Sequence, residues 1–273
     1  MGRYIDLEGT FNFRDIGGFA AGDRHRVREG LLYRADALYR LSDNDLIRFG
    51  EMGIRTVIDF RSPGEAADHP NRLPEGVHSI MLSPVAGAAA LASASRGDDS
   101  DKVAAMVRAA GTEEGEAKFR DNLDSMEKHM RANVTGEQGI RAYGEFLRIL
   151  AVKDRIPLVF HCKGGKDRTG WAAALILSVL GVDRNDVVRD YMATAGYNRE
   201  RNEARMNEYR QLTDNETVLA FLSSLMQVKE AYIMAAFEEV DRLGGMDAYV
   251  RGVLGITGRE LELLKSNYLK SER

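Results

Sequence analysis

Cys162 and Arg168 are separated by five residues, Lys163-Gly164-Gly165-Lys166-Asp167, and followed by Thr169-Gly170. A cysteine, a glycine-rich turn and an arginine at this spacing suit the capture of a phosphate group. Residues 156–160 before the turn read as a short buried strand, and residues 171–180 after it as a buried helix that stops at Gly181. In such a unit the backbone N–H groups of the loop converge, and the first turn of the helix adds unpaired N–H groups and the positive end of its dipole. Gly164 and Gly165 let the chain curl without a Cβ clash, and the planar fork of Arg168 grips two phosphate oxygens at once, which a lysine cannot do. The same field predicts that Cys162 favours its thiolate, a nucleophile aimed at a bound phosphorus. The Thr169 hydroxyl is placed to donate to that sulfur, His161 to orient the loop from behind, and Lys163 and Lys166 to add positive charge at the rim and floor.

Two plainer readings compete with this one. A lone cysteine is most often a small buried hydrophobe, but here glycines, lysines, an arginine and a helix start all fall where an anion loop needs them. A nucleotide-binding P-loop needs glycine at position 160 and Ser or Thr at position 167, where the chain has Phe160 and Asp167.

The stretch from His161 to Thr169 resembles the signature of the cysteine-dependent protein tyrosine phosphatases: a cysteine, five residues and an arginine, with His before and Ser or Thr after. Gly165-Lys166-Asp167-Arg168-Thr169-Gly170 is similar, more narrowly, to a bacterial branch of the mycobacterial tyrosine phosphatase B type, which resembles dual-specificity and phosphoinositide phosphatases. Asn12-Phe13-Arg14-Asp15-Ile16-Gly17-Gly18, Tyr33-Arg34-Ala35-Asp36-Ala37-Leu38, Val57-Ile58-Asp59-Phe60-Arg61-Ser62 and the stretch from Tyr249 to Leu269 resemble other blocks of that branch. Only about residues 85–135 carry no such pattern. The resemblance implies hydrolysis of phosphate monoesters on phosphotyrosine proteins, on phosphoserine or phosphothreonine, or on phosphoinositides.

The leaving oxygen needs a proton. Many members of the family take it from an Asp that follows a Trp-Pro pair, but the one tryptophan here is Trp171, inside the helix after the loop. Asp167 is the first candidate acid and Asp59 the second, with an ion pair to Arg61 or Arg168 as the competing role of Asp59. Arg14 and Arg61 are candidate secondary anion contacts, though an ion-paired arginine is the commoner case. No cofactor is implied, and the five histidines show no metal-ligand spacing. Outside this class stand a phospho-ligand module without catalysis and a thiol-redox enzyme of the arsenate reductase type. The latter needs a second cysteine, and the chain has one.

The elements that must position the loop follow from periodicity. Strands are expected near residues 31–34, 55–60, 78–82 and 157–161, alternating with helices, which means a mainly parallel sheet covered on both faces with the loop at its carboxyl edge. Ser42 with Asp45 and Thr257 with Glu260 have the spacing of helix-capping pairs, and Ile140, Tyr143, Leu147 and Leu150 form one face of a helix leading to the loop strand. From residue 185 to the end the chain reads as helical: 185–192, 198–210, 215–243 and 257–268. Residues 85–135, rich in Ala, Gly, Ser and charge, read as a mobile insertion, a surface loop or a lid over the phosphate site.

A chain of 273 residues with 44% hydrophobic content can bury one sizeable core as a single domain with elaborations. A net charge of −4 offers nothing global to nucleic acid or an anionic membrane, so anion binding must be local. One cysteine forms no internal disulfide, the first residues lack an apolar signal core, and no apolar run approaches the roughly 20 residues of a membrane helix. The expected location is therefore the cytoplasm, while the oligomeric state stays undetermined.

Overall fold

Nine short strands carry the frame in the computed structural model, which describes residues 3–22, 24–84, 99–115, 119 and 125–272. They are β1 (Arg3–Tyr4), β2 (Arg14–Asp15), β3 (Ala20–Ala21), β4 (His25–Val27), β5 (Leu32–Ala35), β6 (Thr56–Asp59), β7 (His78–Met81), β8 (Leu158–His161) and β9 (Leu269–Ser271). Six form one sheet in the order β1-β2-β5-β8-β6-β7. β5, β8, β6 and β7 run parallel, and β2 and β1 add an antiparallel edge beside β5. The remaining three, β3-β4-β9, make a small antiparallel sheet that ties the chain's last strand to its first quarter. The four parallel strands lie where the apolar runs predicted them, and the protein is an α/β fold with helices on both faces and a helical C-terminal part.

Position in the sheet explains composition. β8 has a parallel partner on each side and every residue buried, so Leu158, Val159 and Phe160 face helices on both surfaces. In the register, His161 lies opposite Ala35 on one side and Asp59 on the other. The chain therefore leaves the sheet at residues 36, 60 and 162 side by side, and the loops that follow meet at one carboxyl edge.

The helix after β8 runs Asp167–Val179, four residues earlier than its apolar run alone indicates. Arg168 and Thr169 thus belong to its first turn. Among the described residues three helices start with a complete capping box: Asp43–Glu51 at Ser42, Pro63–Asp68 at Ser62 and Gly258–Tyr268 at Thr257. The expected single helix over 215–243 is instead two, Glu216–Met226 and Glu230–Arg242, bent by 56° across the break. Among the described residues no single helix is long and apolar enough to cross a membrane.

The surface-loop reading of 85–135 gives way to helix where the chain is described, over Asp99–Ala110 and Ser125–Thr135; residues 85–98, 116–118 and 120–124 lie outside the described residues. Val103, Met106, Val107 and Ala110 form a stripe at helical spacing that packs on Val218 and Leu222. Ser125–Thr135 packs along Glu230–Arg242, where Arg131 meets Glu238 at 2.6 Å and Glu239 at 3.0 Å. The stripe was the overlooked signal, masked by the Ala-rich and charged composition around it.

Candidate active site

The loop 162–166 is shaped by donors that seize its carbonyl oxygens one after another. Cys162 O faces His161 Nδ1 at 3.2 Å, and Lys163 O accepts from Ala37 N at 3.3 Å. Gly164 O accepts from Asn198 Nδ2 at 2.8 Å, and Gly165 O from both Asn12 Nδ2 at 3.1 Å and Arg34 Nη2 at 2.8 Å. A trans peptide points its N–H opposite to its C=O. Four successive carbonyls drawn to the frame therefore turn the N–H groups of residues 163–166 to the other side, which is the geometry of an anion-binding concavity. Gly165 has φ +61°, and a Cβ there would stand 2.6 Å from Ala35 O and 2.7 Å from Asn12 Nδ2, so no other residue fits.

Cys162 lies at the base of this loop, 3% exposed, as the chain's single free thiol. Arg168 is held by a carboxylate that sequence reasoning missed. Its Nη1 donates to Glu65 Oε2 at 2.6 Å and its Nη2 to Glu65 Oε1 at 3.0 Å, with a further bond from Nη1 to Phe60 O at 3.2 Å. Glu65 is 5% exposed and also accepts from Ser62 N at 2.8 Å as part of the capping box. Burial pushes the Glu65 carboxyl up, but the Arg168 fork outweighs it and leaves the group below the usual glutamate value. Burial likewise works against the Arg168 charge, and the Cys162 sulfur and Glu65 reverse that, raising its pKa. The spacing Ser62 to Glu65 is that of a capping pair and went unread, and nothing local says that its carboxylate reaches residue 168.

His161 is wholly buried, with Nε2 3.1 Å from Asn71 Nδ2 and 3.6 Å from Asp59 Oδ2. Burial pulls its pKa down to about 4, so the ring is neutral at physiological pH. It sits behind the loop as its position predicts.

Asp59 takes the ion-pair role. Its Oδ2 accepts from Arg61 Nη2 at 2.7 Å and from Asn71 Nδ2 at 3.1 Å, and its Oδ1 from Arg61 N at 2.9 Å. Burial pushes this carboxyl up, but the Arg61 guanidinium and amide more than compensate, and it lies below the ordinary aspartate value. A carboxylate held ionised in this way is a poor proton donor at neutral pH.

Arg61 itself is 1% exposed, its fork divided between Asp59, His69 O at 2.7 Å and Asn71 Oδ1 at 2.9 Å. Arg14 is equally enclosed, on Asp190 and Thr194. Arg14 is not placed to touch a substrate, which corrects the expectation for it: it is consumed by Asp190, 176 positions away. Arg61 lines a cavity beside the loop, with its guanidinium paired to Asp59, two residues before it.

Lys166 also departs from its expected role. Its Nζ donates to Leu225 O at 3.0 Å and Gln227 O at 2.9 Å, the carbonyls exposed by the break between the two helices, and lies 3.2 Å from Asp167 Oδ1. The ammonium anchors the loop to the C-terminal helices. The Thr169 hydroxyl is buried without a hydrogen-bond partner among the described residues, so the expected bond to the sulfur is not formed here. Asp167 opens the loop helix, with a quarter of its side chain exposed and no arginine pairing with it among the described residues.

A cavity of about 260 Å³ opens beside the loop, lined by Asp36, Tyr39, Arg40, Lys163, Arg201 and neighbours. The Arg201 guanidinium lies over Gly164, where a Cβ would stand 3.4 Å from its Nη1. The loop thus borders a mouth with several cations. A wider groove of about 720 Å³ lies between the helices Arg199–Leu212 and Glu216–Met226, and none of residues 161–170 lines it. Among the described residues no group of three or more His, Cys, Asp or Glu is gathered to hold a metal ion.

The sequence model of the tyrosine phosphatase family matches residues 5–270. A putative tyrosine-protein phosphatase of Cupriavidus necator is 29% identical over 262 residues, covering 94% of this chain and 85% of that protein. The triple specificity protein phosphatase PtpB of Mycobacterium tuberculosis is 30% identical over 270 residues, covering 90% of this chain and 92% of that protein.

Proposed function

Because the chain belongs to the tyrosine phosphatase family, we propose that its phosphatase chemistry runs through Cys162 and a cysteinyl-phosphate intermediate. In the first step the Cys162 thiolate forms a bond to phosphorus as the ester P–O bond breaks. The bonding pair stays with the leaving oxygen, and Asp167 gives that oxygen its proton. In the second step a water oxygen bonds to phosphorus while Asp167 takes its proton. The S–P bond breaks, and inorganic phosphate and the thiolate are restored. The spreading charge on the three equatorial oxygens is met by the loop N–H groups and by the Arg168 fork, which Glu65 pre-aligns. No step needs a metal or a cofactor. The observation that carries this reading is the outward capture of four successive carbonyls, 162 to 165, by donors from separate elements.

For the substrate, the reading is a phosphotyrosine, phosphoserine or phosphothreonine protein, or a phosphoinositide. The cations at the mouth suit all of these, and the mycobacterial relative is named a triple specificity protein phosphatase. The test is a panel of these substrates with the native enzyme, Cys162→Ser and Asp167→Asn. The serine form is expected to bind phosphate and turn over nothing measurable. The asparagine form should lose on the order of 10²–10⁴ in kcat, and EDTA should change nothing. A loss of activity with EDTA overturns the metal-free mechanism, and an Asp167→Asn form with native kcat returns the acid role to another residue.

A further inference from the structure

Asp190 lies on the helix Arg184–Tyr197 and is 2% exposed, 28 positions from Cys162 in the sequence and outside every recognised block. Its Oδ1 accepts from Arg14 Nε at 2.9 Å and its Oδ2 from Arg34 Nη1 at 2.5 Å, while its own carbonyl accepts from Arg14 Nη2 at 2.9 Å. Each of these arginines then leads to the same atom of the phosphate loop. Arg34 turns its other nitrogen, Nη2, onto Gly165 O at 2.8 Å. Arg14 bonds Asn12 Oδ1 through Nη1, and Asn12 Nδ2 donates to Gly165 O at 3.1 Å. One buried carboxylate therefore sets two donors that close on one carbonyl oxygen.

We propose that Asp190 is a positioning residue for the reaction, locking the Gly165–Lys166 peptide so that its N–H faces the bound phosphate and its C=O faces away. The clamp matters because this peptide has no side chain to brace it on the glycine side, and φ +61° at Gly165 is a conformation that glycine leaves as readily as it enters. A flip would place a carbonyl oxygen against the phosphate in exchange for an N–H. Two buried guanidinium groups, both 0% exposed by residue, would also lose their shared counter-charge, so the clamp depends on Asp190 being a carboxylate and not only a hydrogen-bonding group.

This inference rests on the proposed reading of the loop, and the experiment separates the two. In the native enzyme, inorganic phosphate should protect Cys162 from alkylation by iodoacetamide; absence of protection sinks the reading of the loop itself. Given protection, Asp190→Asn is expected to raise the inhibition constant for inorganic phosphate by about tenfold or more, with a matching loss in kcat/KM for a small aryl phosphate. Val188→Ala, on the same helix but in the apolar core, should lower the melting temperature and leave that constant unchanged. A phosphate constant for Asp190→Asn within about twofold of native overturns the proposal. Where Asp190→Asn does not fold, Asn12→Ala decides, since it removes one of the two donors to Gly165 and leaves the Asp190 ion pairs in place. A rise of about threefold or more supports the clamp, and an unchanged constant overturns it.

Discussion

Ser62 and Thr257 begin their helices by the same device and end in different roles. Each hydroxyl accepts from the amide three residues on, and each partner glutamate reaches back to the cap amide, Glu65 at 2.8 Å and Glu260 at 2.7 Å. Each glutamate also meets an arginine. Glu65, 5% exposed, holds Arg168 with two short bonds, whereas Glu260 lies 3.8 Å from Arg148 with a quarter of its side chain in solvent. The difference is where the sheet sends the chain next. The first helix follows β6, whose register with β8 places it against the cradle, and the second lies near the chain's end. A capping signal read from sequence identifies a helix start and leaves the second use of its carboxylate to the topology.

The sharpest way to break this contrast is Glu65→Ala. It removes a cap and leaves Arg168 without its counter-charge, so the unfolding free energy should fall by about 3–5 kcal/mol and kcat/KM on the order of a hundredfold from loss of fork alignment. Glu65→Gln keeps the capping geometry and removes the charge, so it should recover much of the stability and little of the activity. Denaturant unfolding and steady-state kinetics on both variants check this. Equal recovery of both properties would mean that Glu65 is only a cap.

The same contrast extends to pH, because the cradle side holds a buried group that titrates in the acid range, His161, and the helix Gly258–Tyr268 holds no buried carboxyl or imidazole. His161 has a pKa of about 4 in the folded protein against 6.5 when exposed. Between those values the unfolded chain binds a proton that the folded chain refuses, so stability rises with pH across this window. The contribution is complete above pH 6.5 and is lost as the pH falls toward 4, by up to about 3 kcal/mol. Melting curves from pH 7 to 4 should show a steeper fall for the native protein than for His161→Gln, and parallel curves would mean that His161 is not held neutral.

What could be read from the sequence followed the same division between local and distant. Cys162, the glycines and Arg168 were legible because one loop carries them all, and the three inner parallel strands, β5, β6 and β8, because each is a short buried run. Glu65, Asn12, Asn198 and Asp190 were not, since each reaches the loop only once the strand order is set. Arg14 misled for the complementary reason: an arginine near a motif looks available until its buried partner is known, and Asp190 lies 176 positions from Arg14. Lys166 and the break at 227–229 form a further such pair. No proline or glycine marks the break, and the carbonyls that it exposes are the ones that receive the Lys166 ammonium.

The smallest effect is expected at the other end of the comparison. Thr257→Ala removes the hydroxyl that accepts from Glu260 N and donates to Glu260 Oε2, and it touches nothing in the loop. Its cost should be that of an exposed helix cap, about 1 kcal/mol, because the Arg148 pairing of Glu260 is solvent-screened and adds little. The helix Gly258–Tyr268 leads directly into β9, which pairs with β4, so fraying at its start is confined by the strand that holds its far end. Urea unfolding should show the loss while kcat/KM for an aryl phosphate stays native. A drop in activity without a larger loss of stability would mean that this helix start also reaches the cradle, and the distinction between the two glutamates would fail.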